Sequence, residues 1–437
     1  MKRECPVALA ALARPDAPAL IFEGRIWTWA EADLAVSAAA AGLHVEPGDR
    51  IAVRGWNSPE LAWLFFAAGR VGATFVPLNA RLTPRELAPL LEKAGARQTF
   101  GDLPPSPPAG ERVGVRGDEE VAAALFTSGT TGVAKLVELT HENFRASARA
   151  NAMRIGGEPT QRWLGTLPLF HVGGLAMLYR CALYGASIAL EAHFDAARAC
   201  AALDEGVTHV SLVPTMLERV LEARGARPFV GVKAALIGGG PMTSSTLHRA
   251  RAAGLPVLQT YGLTEACSQV TTETLEGADG TTAGPPIPGV EVRVVGPDAA
   301  GVGEIEVRGP TVAKGLGRWL QTRDLGVLDA LGRLTIRSRR MDLILSGGEN
   351  VYPAEVEAVL REHPLIRDVA VVARADAEWG QVPVAVVVAT DFDQPALTAW
   401  ARERLASFKV PRAWVRVDAL PRNATGKLDR AALRSLV

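Results

Sequence analysis

Residues 125–135 of this 437-residue chain read LFTSGTTGVAK, with the short apolar runs VAAALF before and LVEL after. Glycine contributes no side chain to a core, but it lets backbone N–H groups converge on an anion. Hydroxyl donors and a mobile ammonium group suit the triphosphate tail of a nucleotide. The stretch supplies the hydroxyls Thr127, Ser128, Thr130 and Thr131, the glycines Gly129 and Gly132, and the cation Lys135. We predict a phosphate-binding loop, with a polar hairpin loop as the ordinary alternative.

This loop differs from the Walker-type phosphate loop. In that motif the lysine is followed by Ser or Thr at the mouth of a helix, whereas here Leu136 follows Lys135. The mainly apolar residues 136–139 predict a strand, and Thr140 is a candidate N-cap for a helix beyond it. The loop is therefore predicted to join two strands.

Composition favours a globular protein with small-molecule partners. Hydrophobic residues make up 48% of the chain, and 47 basic and 47 acidic residues give a formal net charge of +0. This balance argues against nucleic acid or an anionic membrane as a partner, and no apolar run is long enough to insert into a membrane. The four cysteines lack C-x-x-C spacing, so neither a zinc site nor a disulfide framework is indicated, and we predict a cytoplasmic location.

The rest of the chain alternates between predicted strands and helices. The runs ASIAL, THVSLV, KAALIG and PVLQTY read as strands separated by helical stretches, which is typical of parallel sheets covered by helices. Residues 285–338 contain short alternating strands and predict a barrel-like β subdomain. Residues 341–437 mix strands and helices, as in a small α+β domain. The predicted fold is α/β, with a large N-terminal domain over residues 1–340 and a C-terminal domain over residues 341–437.

Two polar clusters follow predicted strands. Gly238-Gly239-Gly240-Pro241 comes after KAALI, and Tyr261-Gly262-Leu263-Thr264-Glu265 comes at the end of the next strand. In open parallel sheets, ligands gather at the carboxyl ends of the strands. Each cluster alone would predict only a loop, but together they predict a ligand site at one edge of a sheet.

The loop, the clusters and their order resemble the adenylate-forming superfamily, which includes acyl- and aryl-CoA ligases, peptide-synthetase adenylation domains and beetle luciferases. The resemblance covers nearly the whole chain, and it implies ATP, Mg²⁺ and the co-substrate coenzyme A as ligands. It implies nucleotide contacts by the loop residues Thr127 to Gly132 and Lys135, the adenine-side turn Gly239-Gly240-Pro241, the base-stacking Tyr261 with Gly262, Thr264 facing phosphate, Asp324 at the ribose, and Arg339.

The same resemblance implies catalytic residues and a mobile C-terminal domain. It marks Lys427 in PRNATGKLDR and Thr130 as catalytic, and Glu265 as both catalytic and the magnesium ligand. His171 in PLFH is expected to line the acyl pocket rather than act as a general base. Ser346-Gly347-Gly348 is expected to approach the nucleotide or the arm of coenzyme A.

Each of these residues has an ordinary alternative when it is considered alone. These alternatives are a half-buried core tyrosine at 261, a solvated helix start at Glu265, a surface turn at Asp324, a surface lysine at 427, a core histidine at 171 and a strand-to-helix turn at residues 346–350. The chain also departs from the family pattern, since Arg323 stands where the family has glycine and Met341 where it has a hinge aspartate.

The implied reaction joins a carboxylic acid to coenzyme A through an acyl-adenylate, with release of AMP. The stretches LPLFHVGGLAMLYRCALYG, SGGENVYPAEVEAVL and EWGQVPVAVVV are most similar to the 2-succinylbenzoate:CoA ligases of menaquinone biosynthesis. Another aryl- or medium-chain acyl-CoA ligase, or a stand-alone adenylation domain that loads a carrier protein, stays open, and an inactive nucleotide-binding protein is a remote alternative. A homodimer is a further possibility.

Overall fold

The computed structural model describes residues 5–102, 120–127, 135–240, 242, 244–297, 301–338, 344–421 and 430–437. The chain divides into two compact units. Unit 1 comprises Met1–Ala80, Ala94–Leu125 and Leu136–Ser338, and unit 2 comprises Arg81–Lys93, Phe126–Lys135 and Arg339–Val437. Unit 2 therefore combines the C-terminal part of the chain with two short segments from earlier in the sequence.

The strands in chain order are β1 (Pro18–Phe22), β2 (Arg25–Thr28), β3 (Arg50–Arg54), β4 (Thr74–Leu78), β5 (Gln98–Phe100), β6 (Val121–Thr127), β7 (Lys135–Thr140), β8 (Arg162–Gly165), β9 (Ser187–Leu190), β10 (His209–Leu212), β11 (Ala234–Ile237), β12 (Val257–Leu263), β13 (Ser268–Thr272), β14 (Glu291–Val295), β15 (Gly303–Arg308), β16 (Leu320–Leu328), β17 (Leu334–Ser338), β18 (Ile344–Ser346), β19 (Glu349–Val351), β20 (Ile366–Asp376), β21 (Gly380–Ala389) and β22 (Ala413–Arg416).

The helices in chain order are α1 (Pro6–Ala13), α2 (Trp29–Ala41), α3 (Pro59–Val71), α4 (Pro84–Ala94), α5 (His141–Ile155), α6 (Val172–Tyr184), α7 (Ala196–Asp204), α8 (Pro214–Arg224), α9 (Ser244–Ala252), α10 (Pro353–Arg361), α11 (Gln394–Arg404) and α12 (Arg430–Arg434). Within the described residues, no helix has the length and apolar character needed to cross a bilayer.

The largest sheet of unit 1 has eight strands in the order β13-β12-β11-β10-β8-β9-β1-β2. The six strands from β12 to β1 pair in parallel, and the edge strands β13 and β2 are antiparallel to their neighbours. Their apolar residues are buried under helices on both faces, which explains why these strands read as continuous apolar runs. The predicted parallel sheet is confirmed, whereas β13 is not among the predicted strands.

A second sheet, in the order β5-β3-β4-β6-β7, carries the ends of the predicted phosphate loop. Strand β6 ends at Thr127 and β7 begins at Lys135, so the loop joins two strands, as predicted. Helix α5 begins directly after β7. Its N-cap is Thr140, whose hydroxyl accepts a hydrogen bond from the backbone N–H of Asn143, which confirms the predicted cap.

The predicted β-rich part of the chain forms a four-stranded antiparallel sheet in the order β14-β15-β16-β17. Alternate residues of these strands, among them Ile305, Val307 and Leu320, are buried in a common core with Tyr261. This confirms the β subdomain, and it places the end of β12 against the inner face of that sheet.

The C-terminal part of unit 2 is a small α+β structure, as predicted. Strands β19-β18-β21-β20 form a sheet that β22 joins by parallel pairing with β21. Within unit 2, the buried Lys409 donates to Glu86 of α4 at 2.9 Å and to Glu355 of α10 at 2.6 Å. Burial alone would lower the pKa of Lys409, but the two carboxylates raise it, so the ammonium group stays charged.

Candidate active site

The two polar clusters of the sequence lie side by side at the carboxyl ends of β11 and β12. These strands are parallel neighbours, with Ile237 opposite Gln259. A Cβ on Gly238 would lie 2.7 Å from the side chain of Thr260, and Gly239 has a φ of +81°. Both positions therefore require glycine, because the turn after β11 lies directly against β12. The two clusters therefore lie together at one edge of the sheet, as predicted.

Tyr261 and Asp324 meet in space although they lie far apart in sequence. The Tyr261 hydroxyl donates a hydrogen bond to Asp324 Oδ2 at 2.6 Å, and the Tyr261 side chain is only 3% exposed. Strand β12 continues to Leu263, two residues beyond the predicted run PVLQTY, so the predicted end of this strand is too early. The tyrosine fixes one carboxylate oxygen of Asp324, and an ionised carboxylate keeps further lone pairs for other donors.

Asp324 lies in a β-bulge of β16, not in a surface turn. Residues 322–324 stand opposite the single residue Ile305, because the pairing with β15 shifts between Glu304 and Glu306. Arg323, at the centre of the bulge, has a φ of +60°, in the region that favours glycine. Bulges next to functional sites redirect a side chain, and this bulge directs Asp324 toward Tyr261.

Glu265 lies in a turn whose backbone is unusually constrained. Thr264–Ala266 form one turn of 3₁₀ helix, and the two residues after it, Cys267 and Ser268, have φ values of +50° and +87°. A Cβ on Gly262 would lie 1.7 Å from the Ser268 carbonyl oxygen, so the hairpin closes only with glycine there. Of the four described non-glycine residues with positive φ, three belong to this turn and the Asp324 bulge. Backbone strain of this kind concentrates at functional sites.

The donors of this turn fit a magnesium ion that is shared with a nucleotide. Among the described residues, no group of three or more His, Cys, Asp or Glu side chains could hold a metal ion. Magnesium in nucleotide sites uses one or two carboxylates, phosphate oxygens and waters rather than a cage of protein ligands. The Glu265 carboxylate and the Thr264 hydroxyl are oxygen donors of the required kind.

His171 is the N-cap residue of α6 and has a partly exposed ring packed edge-on against Phe170 at 4.8 Å. Asn57 fixes the segment before it. The Asn57 amide donates to the carbonyl oxygens of Leu167 and Glu191, both at 3.1 Å, and accepts from Leu169 N at 2.8 Å. Asn57 is not among the residues predicted from the sequence. Its position between strand β3 and Ser58, the N-cap residue of α3, nevertheless marks a turn after a buried strand.

The glycines after His171 have an explanation in packing. A Cβ on Gly174 would lie 2.3 Å from the Pro168 carbonyl oxygen, so the first turn of α6 can approach residues 167–168 only with glycine there. A Cβ on Gly173 would meet only the tip of Leu167 at 3.2 Å. Packing therefore requires glycine at position 174, and of the two glycines only Gly173 leaves room for a larger neighbouring group.

Arg180, which the sequence reading also missed, is a buried cation on α6. Its side chain lies over the ring of Trp163 at 5.3 Å, and its Nε donates to the Ala176 carbonyl oxygen. It is 2% exposed, and among the described residues no carboxylate forms an ion pair with it and no atom accepts a hydrogen bond from its Nη1. Burial lowers the pKa of Arg180. A buried charge without a counter-ion is energetically costly.

In unit 2, Ser346-Gly347-Gly348 forms a β-hairpin turn between β18 and β19 rather than a strand-to-helix turn. Gly347 and Gly348 have φ values of +57° and +82°, as the two central residues of a tight hairpin require. A Cβ on Gly347 would lie 2.5 Å from the Trp379 ring, and Gly347 N donates to the Trp379 carbonyl oxygen. The hairpin is therefore fixed flat against the tryptophan of the EWGQ stretch.

Several predicted site residues lie outside the described part of the chain. Within it, Thr127 ends β6 and is partly exposed, and Lys135 begins β7 and is exposed. The predicted residues beyond it are Ser128, Gly129, Thr130, Thr131, Gly132, Pro241, Arg339 and Lys427. Gly240 is described and lies in the turn after β11.

A parallel sheet with glycine turns and a carboxylate at one edge, followed by a small α+β unit, is typical of nucleotide-binding enzymes of the α/β class. The chain belongs to the AMP-binding enzyme family. The model of that family matches residues 7–118 and 101–316, and the model of the AMP-binding enzyme C-terminal domain matches residues 355–427.

Several similar proteins cover nearly the whole chain. The 2-succinylbenzoate--CoA ligase of Listeria monocytogenes is 34% identical over 96% of this chain and 96% of its own length. A double mutant of the o-succinylbenzoate CoA synthetase from Bacillus subtilis, bound with its product analogue OSB-NCoA, has a TM-score of 0.91 at 34% identity and covers 99% of this chain and 98% of its own. The same synthetase in complex with ATP and magnesium ion has a TM-score of 0.72 at 33% identity, covering 98% of this chain and 99% of its own.

Proposed function

We propose that this protein is an ATP-dependent, AMP-forming carboxylate:CoA ligase that acts through an acyl-adenylate. The family membership and the near-complete coverage by 2-succinylbenzoate--CoA ligases carry this proposal. The meeting of Tyr261 with Asp324 supports it, because these are two of the residues expected at the nucleotide. A carboxylate is a poor acyl donor because its oxygen is a poor leaving group, and attachment of AMP supplies a better one.

The residues have separate tasks in this proposal. The hydroxyls and N–H groups of residues 127–132 hold the phosphates, and Lys135 and Lys427 stabilise the negative charge that grows as pyrophosphate leaves. Bound magnesium would neutralise phosphate charge, and the Glu265 carboxylate would hold that magnesium ion. Asp324 accepts the ribose hydroxyls.

The remaining expected contacts complete the nucleotide site and the acyl site. Gly239, Gly240, Pro241 and Tyr261 with Gly262 border the base, Thr264 faces phosphate, and Arg339 reaches the nucleotide. His171 lines the route of the acid and the thiol. We further propose a fixed domain over residues 1–340 and a mobile domain over residues 341–437 that brings first Lys427 and then the Ser346-Gly347-Gly348 hairpin to the reacting groups.

We propose 2-succinylbenzoate as the acid. This compound carries two carboxylates, of which only one becomes the thioester, so the other needs a cationic partner in the site. Arg180 is buried and has an Nη1 without an acceptor among the described residues, which supports an acid with a second negative charge. Benzoate and octanoate have no such second group.

The location and assembly of the enzyme are separate proposals. All four cysteines are free thiols, which supports a reducing cytoplasm. A homodimer is the assembly that we propose to test by light scattering.

The decisive experiment is ATP–pyrophosphate exchange with a panel of carboxylic acids, repeated with coenzyme A. We expect exchange and thioester formation to be fastest with 2-succinylbenzoate. Exchange with a thioester formed only on a carrier protein would indicate a stand-alone adenylation domain, and faster reaction with benzoate or octanoate would contradict the choice of acid. No exchange with any acid would indicate an inactive nucleotide-binding protein.

The Arg180→Met variant tests the choice of acid within the site. We expect it to fold, since replacement of an unpaired buried charge by an apolar side chain of similar volume is tolerated or stabilising. Its rate with 2-succinylbenzoate should fall at least tenfold relative to its rate with benzoate. An unchanged ratio would remove Arg180 from the acid site.

A further inference from the structure

Helix α5 carries three buried polar residues at a spacing of four, Asn143, Ser147 and Asn151. Residues four apart in a helix lie on one face, so the three side chains form a single stripe. Their exposed fractions are 5%, 1% and 0%. Burial of amides and hydroxyls costs free energy unless each finds a hydrogen-bond partner, so the partners of this stripe indicate what it does.

The first residue of the stripe supports the backbone on one side of Glu265. The Asn143 amide Nδ2 donates to the carbonyl oxygens of Pro310 at 2.8 Å and Val312 at 3.1 Å. The next residue, Ala313, donates its backbone N–H to the Glu265 carbonyl oxygen at 2.8 Å. Asn143 therefore holds the segment that in turn holds Glu265.

The other two residues contact the chain on the opposite side of Glu265. The Ser147 hydroxyl donates to the Cys267 carbonyl oxygen at 2.8 Å, and the Asn151 amide donates to Gln269 Oε1 at 2.9 Å. Cys267 has the positive φ of the constrained turn, and Gln269 is 3% exposed. Glu265 is thus held from both sides by side chains of one helix.

The same helix follows directly after strand β7. Strand β7 runs from Lys135 to Thr140, and α5 starts at the next residue, His141. The Asn143 side chain also accepts a hydrogen bond from Thr140 N at 2.8 Å, which couples the stripe to the end of that strand.

We propose that the stripe of Asn143, Ser147 and Asn151 fixes the turn that carries the Glu265 carboxylate, which makes these three positioning residues for the magnesium ion of the magnesium–ATP complex. The proposal rests on the proposed function, in which Glu265 holds the magnesium. Magnesium demands near-octahedral geometry, and a pre-ordered carboxylate avoids the entropy cost of ordering the turn at each binding event.

The test compares ATP binding with and without magnesium by isothermal titration calorimetry. In Ser147→Ala we expect the affinity gained from magnesium to fall about fivefold, as the loss of one buried hydrogen bond implies, while magnesium-free ATP binds as in the wild type. Ser37→Ala is the matched control, because the Ser37 hydroxyl on α2 accepts a hydrogen bond from Arg70 at 2.7 Å but contacts no part of the turn. We expect it to keep the full magnesium effect.

Asn151→Ala gives a second variant in case Ser147→Ala does not fold, and melting temperatures verify folding of both. Equal weakening of ATP with and without magnesium would overturn the proposal, because the stripe would then serve the fold or the whole nucleotide pocket. An unchanged magnesium effect in folded variants would also overturn it. A wild-type protein that binds no ATP under either condition would instead contradict the proposed function.

Discussion

Arg323 shows how one residue can depart from a family pattern and still keep the local structure. The resemblance places glycine at this position, and the structure gives the reason, because the central residue of the bulge has a φ of +60°. An exposed arginine occupies this conformation here, and its backbone N–H donates to Glu304 at 3.2 Å. The conformation of residue 323 is therefore set by the pairing of β16 and not by its own preference.

We expect Arg323→Gly to be more stable than Arg323→Ala by about 1 kcal/mol, because only glycine adopts a positive φ without a Cβ penalty. Urea unfolding midpoints of the two variants measure the difference, and alanine serves as the control for loss of the arginine side chain. A glycine variant no more stable than the alanine variant would mean that the bulge relaxes without cost.

The second prediction at this scale concerns Asp324. Asp324→Ala should raise the ATP concentration needed for half-maximal exchange while leaving the order of preference among acids unchanged. Loss of a hydrogen bond to a charged group costs about 1.5–3 kcal/mol of binding, or roughly ten- to a hundredfold in affinity. Asp329→Ala is the matched control, since Asp329 is a carboxylate of the same β subdomain that pairs with Arg333. An unchanged apparent ATP affinity in Asp324→Ala would remove Asp324 from the nucleotide site.

At the scale of elements, the sequence was informative where the signal is local. The Thr140 cap, the strands on both sides of the phosphate loop and the apolar parallel strands follow from short patterns, and the structure confirms them. Long-range pairing was not predictable, because the bulge at Asp324 depends on register with β15 and the Tyr261 contact crosses between two sheets. The burial of Arg180 could not be predicted either, since the helix pattern marks a buried face but not the absence of a counter-ion.

Strand β10 carries an element-scale prediction on pH. His209 at its start is 1% exposed and stacks on Trp163 of the neighbouring β8 at 4.9 Å. Burial lowers the pKa of His209 to about 4. The unfolded chain has a histidine pKa of about 6.5, so it binds a proton at a pH where the folded chain does not. The stabilising effect of the neutral His209 is therefore complete above about pH 6.5 and is lost as the pH falls toward 4.

This difference corresponds to about 3 kcal/mol of unfolding free energy between pH 7 and pH 4. Urea midpoints measured across that range should fall more steeply for the wild type than for His209→Gln, which has no titrating group at this site. Parallel pH profiles of the urea midpoints would contradict the lowered pKa of His209, because the folded chain would then bind this proton as readily as the unfolded chain does.

At the scale of the whole molecule, the α/β class, the β subdomain and the small α+β C-terminal structure were predictable, because strand and helix periodicities change along the chain. The composition of unit 2 was not. Unit 2 includes residues of α4, which the sequence assigns to the first domain. The buried Lys409 joins Glu86 of α4 to Glu355 of α10 within this unit. A buried ion pair between distant segments leaves no periodic signal in the sequence.

The last prediction separates two lysines of the C-terminal part. We propose that a mobile domain brings Lys427 to the phosphates for adenylation only, where an ammonium group stabilises the charge that grows between carboxylate and α-phosphate. Lys427→Ala should therefore slow pyrophosphate exchange by orders of magnitude and leave the reaction of coenzyme A with a supplied acyl-adenylate nearly unchanged. Separate assays of the two half-reactions measure the rate of pyrophosphate exchange and the rate of thioester formation.

Lys409→Ala is the contrasting variant, because it leaves Glu86 and Glu355 without their buried cation. Breaking a buried ion pair is strongly destabilising, so Lys409→Ala should lower the melting temperature and impair both half-reactions. Lys427→Ala should change stability by only a few tenths of a kcal/mol, because the proposal gives this lysine no role in the fold. If Lys427→Ala instead slowed both half-reactions and lowered the melting temperature, Lys427 would have a structural role like that of Lys409. The proposal that Lys427 is delivered for one half-reaction would then be contradicted.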